Sequence, residues 1–115
     1  MSGDMRRVET LQALIKLTKP LAAIEADVAQ LPWDDQSSSA VLTKEDVRSV
    51  LERYMSTALS PREVEQWANL LEGREDVTME QSVRDVIYQL ANPILEGELS
   101  PIAARSLITG PLGGL

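Results

Sequence analysis

The chain has 115 residues and a formal net charge of −7, from 18 acidic and 11 basic residues. It contains no cysteine and no histidine, which excludes disulfides, thiolate chemistry and the commonest general base and transition-metal ligand. Phenylalanine is also absent, so the core must be mainly aliphatic, which suits helix packing. We therefore expect a single all-α domain that is not an enzyme, with no catalytic residues, cofactor or metal site.

An apolar stripe runs through the N-terminal third of the chain. Its members are Leu14, Leu17, Leu21, Ile24, Val28 and Leu31. Their alternating spacing of three and four residues predicts helix over residues 6–31. Pro20 interrupts this pattern, so the helix is expected to be bent or broken there, and Thr18 is a candidate cap for a second helix. The stripe suits packing within the chain, and homodimerisation through residues 11–31 is the alternative.

The segment 32–42 has no periodicity and predicts a linker. It reads PWDDQSSSAVL, in which proline, paired aspartates and a serine triplet favour an exposed loop. Trp33 in this linker either folds back as a lid on the core or stays exposed as an anchor for a partner, since tryptophan is enriched at interaction hot spots.

A serine or threonine precedes each of the four later helical patterns, at Thr43, Ser60, Thr78 and Ser100. A hydroxyl there can accept a hydrogen bond from a free backbone N–H of the first helical turn. The predicted helices span residues 44–56, 61–72, 79–91 and 101–109. Together with the N-terminal segment they predict a single-domain bundle of about five helices, with a helical core over 43–110 and a flexible tail at 111–115.

Further local signals complete this prediction. Asp46, Glu63 and Gln81 each stand three residues after a cap, which predicts capping boxes or close variants of them. Gly73 is the expected C-cap of the second core helix, and Asn92-Pro93 should end the third. Helical spacing also predicts the buried core residues. They are Val47, Leu51, Tyr54, Val64, Trp67, Leu71, Val83, Ile87 and Leu90.

The charge and the apolar pattern also restrict the partners. An acidic domain is repelled by nucleic-acid phosphates, and no apolar run approaches the roughly 20 residues that span a bilayer. The start, MSGDMRR, is not followed by the apolar region of a secretory signal, so we expect a cytoplasmic protein that binds neither nucleic acid nor membrane. The acidic pairs are best explained as helix caps and solvated faces rather than metal ligands.

Two stretches within residues 42–101, LSPREVEQWANLLEGRED and LANP-x-x-x-G-x-L, give the chain a family resemblance. This region resembles small acidic helical proteins encoded beside bacterial polymorphic toxins, which serve as immunity factors. The resemblance implies a binding protein that masks the active surface of a cognate toxin, and the negative charge is compatible with a basic nuclease toxin.

For such a partner we expect an acidic loop surface, with Trp33 as its anchor. Its carboxylates are Asp34, Asp35, Glu72, Glu75 and Asp76. The alternative function is a non-catalytic helical module that regulates or dimerises through its N-terminal stripe.

Overall fold

Seven helices and two short strands are present in the computed structural model, which describes residues 2–30, 40–72, 74 and 77–113. The fold is mostly helical. The N-terminal elements are α1 (Ser2–Lys16), α2 (Leu21–Ala29), β1 (Ala40–Val41) and α3 (Lys44–Met55). They are followed by α4 (Pro61–Leu71), β2 (Val77–Thr78), α5 (Gln81–Ala91), α6 (Pro93–Glu96) and α7 (Pro101–Thr109).

The N-terminal helical segment is broken rather than bent. Helix α1 ends because Leu17 adopts a left-handed conformation, with φ of 50°. The amide of Thr18 then donates to the Ala13 carbonyl at 3.2 Å, and that of Leu17 to the Leu14 carbonyl at 3.3 Å. These two bonds form a Schellman motif, which directs the chain out of the helix. Pro20, not Thr18, is the residue that precedes α2.

Three of the four predicted caps are confirmed. The hydroxyl of Thr43 accepts from the Asp46 amide at 3.2 Å, and that of Ser60 from the Glu63 amide at 3.1 Å. Each carboxylate in turn accepts from the amide of its cap residue, so both capping boxes are complete. Ser100 caps α7 in the same way, through the amide of Ala103 at 3.1 Å.

The fourth cap, Thr78, was predicted wrongly. Thr78 lies in β2, where its carbonyl accepts a hydrogen bond from the Leu42 amide at 2.9 Å. Helix α5 therefore starts two residues later than predicted, at Gln81, with Glu80 at the cap position and no side-chain cap bond. Gly73, the expected C-cap of α4, lies outside the described residues, whereas Asn92 ends α5 as predicted.

The two strands form a small parallel sheet that the sequence analysis did not predict. Ala40 is paired with Val77 and Val41 with Thr78. In each strand the first residue, Ala40 or Val77, is buried, and the second residue, Val41 or Thr78, is exposed. The described residues thus form seven helices instead of the predicted five. One additional helix results from the break in the N-terminal segment, and the other is α6, in an expected loop. The sheet is a further difference from the prediction.

All nine predicted core residues are buried, which confirms the periodicity of α3, α4 and α5. The N-terminal stripe joins the same core, where Leu14, Leu17, Leu21 and Ile24 are buried and Val28 is partly so. Leu31 lies outside the described residues.

The C-terminal segment, predicted to be a flexible tail at 111–115, is described as far as residue 113. Leu112 is fully buried, and its carbonyl accepts a hydrogen bond from the Arg48 guanidinium on α3. The amide of Leu112 donates to the Leu107 carbonyl at 3.0 Å. Leu112 therefore packs against the helical core, whereas Pro111 is exposed, and 114–115 lie outside the described part.

Candidate functional site

Of the predicted acidic surface, only Glu72 falls within the described residues. Trp33, Asp34, Asp35, Glu75 and Asp76 lie outside them, so the choice between lid and anchor for Trp33 stays a prediction. Glu72 is exposed at the end of α4 and accepts a hydrogen bond from the Asn92 side-chain amide at 3.4 Å. The same amide also donates to the Tyr88 carbonyl at 2.8 Å.

The sheet relates the two segments that carry the predicted acidic surface. The linker leads into β1, and the segment after Glu72 leads into β2. Because the strands are parallel, the chain enters both of them at the same edge, where Ala40 is paired with Val77. Two acidic segments that are far apart in sequence thus lead to neighbouring residues in the fold.

Most of the described cationic side chains are engaged within the chain. The Arg53 guanidinium donates to the carbonyls of Lys16 and Leu17, at 3.1 and 3.0 Å. Both carbonyls lie at the end of α1, where a positive charge is stabilised by the helix dipole. The Arg48 guanidinium donates to the Leu112 carbonyl in the C-terminal segment, and Arg7 is buried. These three arginines are therefore not displayed on the surface as free positive charges.

The described lysines pair with carboxylates. Lys16 contacts the buried carboxylate of Asp46. Lys19 approaches Asp27 at 3.4 Å, and Lys44 approaches Glu80 at 3.8 Å. Exposed pairs of this kind contribute little to stability, in general 0–1 kcal/mol, but they reduce the positive charge that a partner encounters.

Several carboxylates, by contrast, make neither an ion pair nor a side-chain hydrogen bond in the part of the chain that the structure describes. They are Glu9, Glu25, Glu45, Glu52, Glu65 and Glu98. Glu45 and Glu52 share the exposed face of α3, one turn on either side of Ser49. The excess of acidic residues, a net charge of −7, thus includes several carboxylates that no cation pairs with in the described residues.

A second candidate surface is a groove of about 600 Å³ between α4, α5, α6 and α7, which we name the α6 groove. Val64, Leu90 and Leu107 are buried residues that line it. Pro61 from the first turn of α4 and Ala103 from α7 are also part of its lining. The interior of the groove is therefore largely aliphatic.

Local sequence explains why the groove stays open. Asn92-Pro93 ends α5 and starts the single turn of α6, and Gly97, with φ of 99°, reverses the chain after it. Tyr54 on α3 then donates its hydroxyl to the Leu99 carbonyl at 3.3 Å, which fixes the loop before α7. Helix α6 is therefore exposed, and its Ile94 side chain lines the groove.

Large aliphatic side chains are exposed around α6 and α7. Ile94 is 97% exposed, Leu95 is 69% exposed, and Ile102 on α7 is 81% exposed. Ile94 lines the α6 groove, whereas Ile102 lines a separate shallow depression with Arg105 and Ser106. Exposed apolar side chains that form a contiguous patch are typical of interaction surfaces, whereas single ones are ordinary, and Ile94 and Leu95 are adjacent in the chain.

Charged side chains surround the aliphatic interior of the α6 groove. Glu65 on α4 and Glu98 in the loop before α7 line it together with Arg62. Neither glutamate makes an ion pair within the described residues, and Arg62 forms none with Glu65 although the two are one helical turn apart. The groove therefore combines an apolar interior with available carboxylates.

The groove could not be predicted from the helical spacing, because PILEGEL, residues 93–99, lies between the predicted helices 79–91 and 101–109. Two signals were present in that segment. A proline directly after Asn92 is typical of a first helical position as well as of a helix end, and adjacent Ile94 and Leu95 have no helical partners to pack against.

Among the described residues, no group of three or more Asp or Glu side chains is placed to hold a metal ion, and none of the described helices is long and apolar enough to cross a membrane. Comparisons of the chain with protein-family models, with curated proteins and with solved structures give no match in any of the three.

Proposed function

We propose that this chain is a protein-binding module of the immunity type, which neutralises a basic toxin by covering its surface. The distribution of charge is the observation that carries the proposal. Six described carboxylates make neither an ion pair nor a side-chain hydrogen bond, while Arg7, Arg48 and Arg53 are buried or bound to backbone carbonyls. A partner would therefore encounter unpaired carboxylates on a chain whose net charge is −7.

Such a surface favours a basic partner because opposite charges raise the rate of association. Complementary charge raises association rate constants from about 10⁵–10⁶ to about 10⁸–10⁹ M⁻¹s⁻¹ at low salt. Rapid capture suits a protein whose role is to inhibit a toxin before it acts. The resemblance of residues 42–101 to immunity factors is the reason for proposing a toxin as the partner. We also propose that the chain acts in the cytoplasm.

The acidic surface around the entry to β1 and β2 is the proposed contact region for the charged part of the toxin. Support comes from the parallel pairing of Ala40 with Val77, which are the first described residues after the two acidic segments. Glu72, the member of this surface within the described residues, is exposed and thus available to a partner.

The proposal is tested with the product of the neighbouring gene. Its association with this chain should be measured by surface plasmon resonance between about 0.1 M and about 1 M salt, where the screening length falls from about 10 Å to about 3 Å. We expect binding, with an association rate constant that decreases at least roughly tenfold over this range. If the two proteins do not bind at all, the proposal is wrong, and a rate that does not change with salt would remove its electrostatic basis.

A further inference from the structure

We propose that the α6 groove receives a segment of the basic partner that carries an aliphatic or aromatic anchor next to a lysine or arginine. This inference rests on the proposed function and adds to it the place and the chemistry of one contact. The groove volume of about 600 Å³ is sufficient for side chains of a docked peptide or helix.

The exposed isoleucine at the groove indicates a protein segment rather than a small ligand. A small ligand is bound by being enclosed, and most of its surface is buried in the pocket. Ile94, however, is 97% exposed and projects from α6, so a molecule confined to the groove interior would leave most of it in water. A protein segment that fills the groove would also cover Ile94 and remove its apolar surface from water.

Charge at the groove specifies the partner segment further. Two carboxylates, Glu65 and Glu98, line the groove with one cation, Arg62, and neither glutamate makes an ion pair within the described residues. A lysine or arginine beside the anchor would meet these carboxylates as the apolar side chain enters. A second copy of this chain fits less well, because each copy carries a net charge of −7.

Two matched pairs of variants test the inference. Ile94→Asp alters the groove, and Ile102→Asp makes the same change at an isoleucine that is 81% exposed but does not line it. Ala103→Phe fills the groove, and Ser106→Phe places the same ring on the exposed face of α7. No variant removes a fully buried side chain, so each is expected to fold, which melting followed by circular dichroism would verify.

Binding of the neighbouring gene product should be measured for all four variants by isothermal titration calorimetry. We expect Ile94→Asp and Ala103→Phe to raise the dissociation constant roughly 30-fold or more, which corresponds to the loss of one interface hot spot. Ile102→Asp and Ser106→Phe should stay within about twofold of the unmodified chain.

The other outcomes separate the inference from the proposed function. If the unmodified chain binds the partner and all four variants bind equally well, the groove is not the docking site and the proposed function stands. If the unmodified chain does not bind, the proposed function fails and the inference fails with it. If the isolated chain is a dimer that Ile94→Asp converts to monomer, the groove holds a second copy and the inferred occupant is wrong.

Discussion

The indole Nε1 of Trp67 donates a hydrogen bond to the backbone carbonyl of Leu14 at 2.7 Å, between two fully buried residues of α4 and α1. The Leu14 carbonyl is accessible because α1 ends in a Schellman motif. The Thr18 amide, which would bond to Leu14 in a continuing helix, bonds to Ala13 instead. Trp67 thus both fills the core and gives the Leu14 carbonyl a second donor beside the Leu17 amide.

Substitution of Trp67 should separate these two roles. Trp67→Ala removes the whole buried side chain and should lower the free energy of unfolding by about 3–5 kcal/mol. Trp67→Phe keeps a ring but loses the donor, and should cost about 1–3 kcal/mol because a buried carbonyl loses a strong partner. Urea unfolding followed by circular dichroism measures both values. Tyr88→Phe, at an exposed position, is the control, and equal stability of all these variants would contradict the placement of Trp67.

Thr57 offers a stabilising substitution. It follows α3 with φ of 68°, and its amide and that of Ala58 form a second Schellman motif, with the Tyr54 and Arg53 carbonyls. A β-branched residue is strained in this conformation, whereas glycine is not. Because Thr57 is exposed, Thr57→Gly loses no buried surface and should raise the free energy of unfolding by about 1 kcal/mol.

The control for Thr57→Gly is a second glycine substitution, placed inside a helix. Ser49→Gly, on the exposed face of α3, should instead destabilise by about 0.5 kcal/mol, because glycine is a poor helix former. Thermal melting of the two variants should therefore give shifts of opposite sign. Destabilisation by Thr57→Gly would show that the left-handed conformation at this residue is not the source of strain.

Arg53 should contribute to stability by joining α3 to the end of α1. Arg53→Met keeps much of the apolar stem but removes both hydrogen bonds to the carbonyls of Lys16 and Leu17. We expect a loss of about 1–3 kcal/mol, since hydrogen bonds from charged groups are the stronger ones. Arg53→Lys should recover only part of this, because a lysine lacks the planar fork that reaches two acceptors. Arg105→Met, at an exposed site on α7, is the control for urea unfolding.

Helix positions and core residues could be predicted from the sequence because both follow from local spacing. Val64, Trp67 and Leu71 lie on one face of α4 whatever surrounds it, and the hydroxyl of Ser60 needs only residues within the next turn. The sheet could not be predicted in this way. The two-residue strands are separated by more than 30 residues, and their pairing depends on how α3 and α4, which lie between them, pack, so no local pattern contains it.

Thr78 shows how a local signal can be overridden. Its spacing to Gln81 matches a capping box, but the backbone of Thr78 is used by the pairing of β2 with β1. The α6 groove depends on similar long-range relationships. Its shape requires Tyr54 on α3 to hold the Leu99 carbonyl, a contact across 45 residues that no local pattern contains.

The N-terminal stripe leads us to expect a monomer in the absence of a partner. Leu14, Leu17, Leu21 and Ile24 are buried within the chain, so a second copy could reach them only after α1 and α2 had separated from the core. Light scattering on a size-exclusion column should give the monomer mass of 12.7 kDa. A dimer that dissociates when residues 11–31 are substituted would favour the alternative function of a dimerisation module.

The proposed acidic surface is tested by reversing its charges one at a time. The variants are Glu72→Lys, Asp34→Lys, Asp35→Lys, Glu75→Lys and Asp76→Lys. At least one of them should raise the dissociation constant for the neighbouring gene product about tenfold, a loss of about 1.4 kcal/mol, because a cation of the partner would then meet a cation.

Glu52→Lys is the matched control for this series, since it changes the net charge equally on the exposed face of α3, remote in sequence from both acidic segments. Long-range steering depends on total charge, so all six variants should slow association to a similar and small extent. A direct contact should in addition raise the dissociation rate constant, which the control would leave unchanged. If none of the five variants differs from Glu52→Lys in its dissociation rate constant, the partner does not contact this surface, and the charge of the chain acts only by steering.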